Sequence, residues 1–152
     1  MTERTGVLAP FARHRRALVR YRRGLAVLVA GLVPWLVIPY EGGVSLVHSL
    51  ALVAPGTGAV TSVYHYVFVY TREVPTALLA WPTASLLYGT GVASAALARI
   101  DREDRRVTAG LFALAAFDVC YAAVGFSSPR LRTVAYPLGA AFLALAAWTS
   151  RP

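Results

Sequence analysis

The sequence contains a single cysteine, Cys120, among its 152 residues. One thiol cannot form an internal disulfide, a CxxC dithiol, or a zinc or iron–sulfur site built from cysteines. Histidine is almost as rare, with three residues, and none lies in a stretch that predicts a clear transmembrane helix. Paired axial haem ligation inside a helix bundle is therefore excluded. We expect no metal and no other cofactor.

Charge is scarce as well. Charged residues make up 14% of the chain and hydrophobic residues 57%, and the mean hydropathy is +0.57. All 15 basic residues are Arg, and they cluster at the ends of long uncharged stretches, as is typical of an integral membrane protein. The net charge of +8 does not indicate a nucleic-acid partner, because that would require a basic face on a soluble domain.

The uncharged stretches predict an all-α fold, an integral membrane four-transmembrane-helix bundle. Residues 24–150 form the membrane domain, and residues 41–73 form an interfacial outer loop. The first stretch has 17 uncharged residues, about 25 Å of helix, so the Arg residues before it must snorkel if it is to span. Pro34 is expected to kink this helix. The four spans are predicted at 24–40, 74–98, 107–128 and 133–150.

The distribution of Arg predicts the topology. With four crossings and a cytoplasmic start, twelve Arg lie inside and three outside. A fifth crossing within 44–70 would change this split to ten and five. The positive-inside rule therefore favours a multi-pass protein of the cell membrane with both termini in the cytoplasm. Whether 44–70 is re-entrant or lies on the surface of the bilayer is left open.

Residues 1–23 predict a basic amphipathic segment on the cytoplasmic face. Arg side chains surround a few apolar residues on one helical face, a pattern typical of a helix at a membrane interface. Each Arg near an anionic leaflet adds about 1 kcal/mol of attraction, so anionic headgroups are expected partners. The residues assigned to this lipid interface are Arg13, Arg15, Arg16, Arg20, Arg22 and Arg23.

Asp118 is the only charged residue within 107–128. A carboxylate near the centre of a membrane helix costs about 2.5–3.5 kcal/mol, so it is expected to face other helices. Counting equal depth along the antiparallel second span reaches Tyr88, and we hypothesise that Tyr88 donates a hydrogen bond to Asp118. A polar residue that fixes helix register is the favoured interpretation, because no second charge completes a proton or ion pathway.

His48 and His65 lie in the predicted outer loop, near Glu41 and Glu73. They form a candidate outer-loop site, but their spacing matches no metal pattern. Two interfacial side chains bonded to water or headgroups are the favoured interpretation, so no metal ligands are assigned.

Small residues recur four positions apart, as in Gly91 with Ala95 and Ala135 with Gly139. Such pairs let helices approach closely. Packing within one chain is the default interpretation, and a second copy or another membrane protein is a further expected partner.

Several stretches resemble a family of small, uncharacterised haloarchaeal integral membrane proteins with about four predicted helices. The resemblance covers nearly the whole chain and rests on hydropathy-like segments rather than catalytic motifs. It implies an archaeal membrane protein without a known activity and supplies no functional residues. The stretches are GLVPW at 31–35, VYHYVFVYT at 63–71, LLAWPTASLLY at 78–88 and REDRRVTAG at 102–110.

The sequence predicts a non-enzymatic accessory or structural membrane component. No nucleophile–base pair, metal-binding motif or phosphate loop is present, so no catalytic residue is assigned. The alternative is a small transporter or channel subunit in which Asp118 binds a proton or a cation. A membrane enzyme that uses His48, His65 and the loop tyrosines is a third interpretation.

Overall fold

The computed structural model describes residues 9–70, 75–128 and 132–152, and of residues 9–20 only the backbone. These ranges contain four α-helices and four β-strands. A π-helical segment, His65–Tyr70, follows the last strand, and a 3₁₀ turn, Leu97–Ile100, follows the second helix. The helices are α1 (Ala9–Leu32), α2 (Thr76–Ala96), α3 (Arg105–Phe126) and α4 (Leu138–Thr149). The strands are β1 (Leu36–Tyr40), β2 (Gly43–Val47), β3 (Ala51–Ala54) and β4 (Ala59–Ser62).

Pro34 ends α1 instead of kinking it. Proline has no N–H to donate, and it disfavours the helical conformation of the residue before it. The last helical hydrogen bond runs from the N–H of Val33 to the carbonyl of Val29 at 2.9 Å. After Trp35, residues 36–40 (LVIPY) are mostly β-branched or aromatic and form β1. The helix predicted over 24–40 therefore stops about halfway, at Leu32.

The four strands form an antiparallel sheet in chain order, β1-β2-β3-β4. A two-residue turn joins β1 to β2 after the pair Tyr40 and Gly43. Gly58 closes the turn between β3 and β4 at φ +68, a conformation that glycine adopts without steric cost. The outer edge of β1 is covered where Val37 and Tyr136 exchange backbone hydrogen bonds of 3.0 and 2.9 Å.

Glycines bring the helices into close contact. α2 and α3 lie antiparallel, with Gly91 against Phe112 and Gly125 against Ala77. A Cβ added at either glycine would lie 2.8 Å from its neighbour. The chain then turns back through 132–137, and α4 packs against both α3 and α1.

The core lies where the sheet meets the helices, around fully buried Trp35, Trp81, Phe112 and Leu143. The indole N–H of Trp35 donates to the carbonyl of Ala30 at 2.8 Å. Trp81 donates to the carbonyl of the β2–β3 turn at 2.9 Å. Both buried indoles are therefore hydrogen-bonded, as a tightly packed core requires.

The prediction of an all-α, four-transmembrane-helix bundle is wrong, because residues 36–62 form a β-sheet. The described residues combine four helices with a four-stranded sheet, so the molecule is not a four-helix bundle. Of the described residues, one helix, Arg105–Phe126, is long and apolar enough to cross a membrane. α4 is apolar but has only 12 residues. The error arises because hydropathy alone does not separate buried strands from helices.

Candidate functional site

Polar side chains in or next to all four helices meet away from the sheet, at one end of α2, α3 and α4 and near the middle of α1. We call this group the Arg23 cluster. Arg23 comes from α1, Ser94 from the last turn of α2, and Glu103 from the α2–α3 loop. Thr108 lies in the first turn of α3, and Ser150 directly follows α4.

The α2–α3 loop positions Glu103. The 3₁₀ turn after α2 ends at Asp101, which adopts a left-handed conformation with φ +54. Asp104 then caps the start of α3, because its carboxylate accepts the backbone N–H of Arg106 at 2.9 Å. Glu103 lies immediately before this cap and turns its side chain toward the ends of the helices.

Arg23 and Glu103 form a two-point ion pair. The guanidinium Nη1 donates to Oε2 at 2.7 Å, and Nη2 donates to Oε1. The remaining nitrogen, Nε, donates to the hydroxyl of Ser150 at 3.1 Å. Only 11% of the Arg23 side chain and 5% of the Glu103 side chain are exposed. Pairing in this fork geometry gives stronger and more directional hydrogen bonds than a single contact.

Two hydroxyls extend the ion pair into the α2–α3 interface. The fully buried Thr108 donates to Glu103 Oε1 at 3.0 Å. The hydroxyls of Ser94 and Thr108 lie 2.7 Å apart. A hydroxyl has one hydrogen, so when Thr108 gives its hydrogen to the carboxylate, Ser94 must donate to Thr108.

The Arg23 cluster holds Glu103 ionised. The hydrogen bond from Arg23 is the largest cause that lowers the pKa of Glu103, and burial opposes it. The hydrogen bond from Thr108 and the positive charges of Arg23 and Arg105 lower this pKa further. The carboxylate is therefore engaged by its partners rather than poised as a base near neutral pH. This arrangement can fasten helix ends together.

The structure separates the two residues proposed as an intramembrane polar site. The hydroxyl of Tyr88 donates to the carbonyl of Val27 in α1 at 2.8 Å. Its ring packs edge-on against Trp35, with the ring centroids 5.7 Å apart. The antiparallel pairing of α2 and α3 puts Asp118 level with Ala84, one helical turn from Tyr88. Tyr88 and Asp118, both among the described residues, therefore do not form the hypothesised hydrogen bond.

The two outer-loop histidines occupy separate positions. His48 lies in the turn between β2 and β3, where its carbonyl accepts the Trp81 indole. His65 begins the π-helical segment, and its Nδ1 lies 2.9 Å from the hydroxyl of Ser62. Within the described ranges, no group of three or more His, Cys, Asp or Glu could hold a metal ion. Glu73 lies outside those ranges.

The Arg residues predicted to contact lipid are described to different extents. The backbone at Arg13, Arg15, Arg16 and Arg20 is helical, but their side chains lie outside the description. Arg22 is exposed, whereas Arg23 turns inward to Glu103. Sequence reasoning missed this ion pair, although the predicted topology placed both residues on the cytoplasmic side.

A family model described as a domain of unknown function (DUF8050) matches residues 4–151. A search of curated proteins gives no match to the chain.

Proposed function

We propose that this chain, which belongs to the DUF8050 family, is a non-enzymatic structural or accessory protein of the cell membrane. The observation that carries the proposal is the apolar outer surface of its helices. Leu86 of α2 is 73% exposed and Phe117 of α3 is 69% exposed. Soluble monomers rarely expose large contiguous apolar patches, and a bilayer would cover this one. Other exposed large apolar side chains on α1, α3 and α4 are Leu25, Leu28, Leu32, Val124, Leu145 and Trp148.

The α2–α3 hairpin is the part that we place across the bilayer. α3 has 22 residues, about 33 Å of helix, close to the roughly 30 Å of a hydrocarbon core. α2 is less apolar than α3 and does not by itself meet the criterion for a span, but its 21 residues include no charged side chain. Because α2 contacts α3 from Ala77 near one end to Ser94 near the other, the two helices share the same depth.

Charge supports the orientation. The end of the molecule that carries the Arg23 cluster also carries the arginines of the α2–α3 loop and Arg151. Positive charge is retained on the cytoplasmic side of membrane proteins. We therefore place the Arg23 cluster, Arg22 and Arg151 in the cytoplasm and the turn between β3 and β4 on the outer side.

The Arg23 cluster supports a structural rather than an enzymatic role. Each of its five side chains is engaged by another member, which joins four helices at the cytoplasmic end. A catalytic site instead needs a nucleophile or base that is free to reach a substrate.

Cys120 provides a built-in test, because its side chain is exposed on α3. In native membranes we expect Cys120 to resist a charged, water-soluble maleimide and to react with it only after denaturing detergent is added, because the reactive thiolate forms in water and not in hydrocarbon. The control is Arg102→Cys in a Cys120→Ala background, which places a thiol in the exposed α2–α3 loop and should react with the charged reagent in opened membranes. Carbonate washing should leave the protein in the membrane pellet. Release by carbonate, or reaction of Cys120 with the charged reagent before detergent is added, would overturn the proposal.

A further inference from the structure

One stripe of α3 carries both a hydrogen-bond acceptor and a donor without a partner. Leu114, Asp118 and Tyr121 follow one another at intervals of four and three residues, so they lie on the same helical face. Leu114 is 56% exposed and Tyr121 is 45% exposed, while Asp118 is half-buried. Neither the carboxylate of Asp118 nor the hydroxyl of Tyr121 makes a hydrogen bond or ion pair among the described residues.

The proposed membrane location makes this stripe costly to leave uncovered. Ionisable groups within membrane helices almost always face other helices or a water-filled cavity, not lipid. The described part of the chain offers Asp118 no partner, and Tyr88, the nearest candidate from the sequence, is bonded to α1. A partner on a second molecule would meet this need. This step rests on the proposed function.

We propose that the stripe formed by Leu114, Asp118 and Tyr121 is the contact between two copies of this chain. Two copies in one membrane have the same orientation, so a two-fold axis along the membrane normal brings their α3 helices together in parallel. Side chains on a helix lean toward its N-terminus. Tyr121 starts about 4.5 Å above Asp118 along the helix and leans down toward the level of that residue.

Symmetry satisfies both groups at once. Tyr121 of each copy donates to Asp118 of the other copy, so the dimer contains two equivalent hydrogen bonds. A lipid headgroup does not reach the middle of α3, and an unrelated protein would need a donor and an acceptor at matching heights. A second copy supplies both, while Cys120 stays on a lipid-facing part of α3.

Cross-linking with a matched control tests the geometry. In a Cys120→Ala background, Leu114→Cys places a thiol on the stripe, and mild oxidation of membranes should link two copies through it. The native Cys120 lies two residues beyond Asp118, about 200° around the helix, and should not cross-link. A disulfide through Cys120 but not through Leu114→Cys, or no cross-linking at either position, would overturn the proposal.

The strength of the dimer tests the hydrogen bonds. Asp118→Leu and Tyr121→Phe each remove both bonds, so each should weaken association roughly eightfold, as measured by dilution of dye-labelled protein in liposomes. Asp118→Asn keeps a hydrogen-bond acceptor at this position and should weaken association less than Asp118→Leu does. A mixed dimer of one Asp118→Leu copy with one Tyr121→Phe copy keeps one bond and should be roughly threefold tighter than either variant dimer.

Two outcomes separate this proposal from the proposed function. Protein that stays in carbonate-washed membranes but is monomeric would overturn the dimer and leave the membrane location standing. Equal association of wild type, Asp118→Leu and Tyr121→Phe would also overturn the assigned contact. Protein that carbonate releases from membranes would overturn both.

Discussion

Arg23 and its neighbour Arg22 have similar local sequences but different side-chain contacts. Both lie in α1 just before its apolar end, but Arg22 is exposed while Arg23 bonds to Glu103 and Ser150. A guanidinium this well enclosed needs an anionic partner, because an unpaired buried charge is costly. The environment of this one side chain therefore depends on residues 80 and 127 positions away in sequence.

Replacing Glu103 tests the importance of this ion pair. Glu103→Gln leaves Arg23 without its charge partner, and we expect the free energy of unfolding to fall by about 2 kcal/mol. Unfolding by denaturant in detergent micelles measures the change. Asp101→Asn is the matched control, since Asp101 is exposed in the same loop and Asn tolerates its left-handed conformation. An equal loss in both variants would contradict the assigned role.

The same residue predicts a pH dependence. The pKa of Glu103 lies below its ordinary value of 4.5, chiefly because of the hydrogen bond from Arg23. Its contribution to stability is therefore complete above pH 4.5 and is lost as the pH falls through the lowered pKa of the folded state. The difference in unfolding free energy between wild type and Glu103→Gln should be constant from neutral pH to about pH 5 and then shrink. A difference that stays constant into strong acid would refute this prediction.

The contacts of individual side chains are the least predictable feature from sequence. Equal depth along antiparallel spans predicts Tyr88 beside Asp118, but the hydroxyl of Tyr88 donates to the carbonyl of Val27 in α1. Arg23 was assigned to lipid because its neighbours are also arginines. Both errors have the same cause, since a local pattern does not show which distant backbone or side chain fills the space opposite a residue.

At the scale of elements, the apolar stretches of the sequence become either helices or strands. The structure has helices over most of 74–98 and 107–128, where alanine and leucine dominate between charged ends. It has its first strand, β1, where β-branched and aromatic residues follow Pro34. Both kinds of stretch are rich in apolar residues, so hydropathy locates the apolar elements but does not identify their type.

Close packing at Gly139 links α4 to the residue that follows Pro34. A Cβ at Gly139 would lie 2.5 Å from both Cα and Cδ1 of Trp35, so Gly139→Ala should destabilise the protein by about 1–3 kcal/mol. Gly110 in α3 has no atom within 4 Å of an added Cβ. Gly110→Ala should therefore stabilise the protein by about 0.5–1 kcal/mol through helix propensity. Thermal unfolding of both variants measures the two changes in stability. If Gly139→Ala left the stability unchanged, α4 would be able to move away from Trp35 without cost.

At the scale of the whole molecule, the Arg23 cluster lies at one end of α2 and α3, and we place the β3–β4 turn on the opposite side of the membrane. Thr57 is exposed at the turn between β3 and β4, and Arg102 is exposed in the α2–α3 loop. In a Cys120→Ala background, Thr57→Cys should react with a charged maleimide added to intact cells, whereas Arg102→Cys should react only after the cells are opened. Labelling of both from the same side would contradict the proposed orientation. Labelling of Arg102→Cys alone in intact cells would show that it is inverted.

The bond between Arg23 and Ser150 has a consequence for the order of events during synthesis. The two residues are 127 positions apart, so at about 5–20 residues per second a ribosome needs roughly 6–25 s to make the intervening chain. Throughout that interval Nε of Arg23 lacks its hydroxyl partner, and for the first 80 residues Arg23 also lacks Glu103. The nascent α1 therefore carries an unneutralised guanidinium until the α2–α3 loop has been made, and its bond to the end of α4 closes only late in translation.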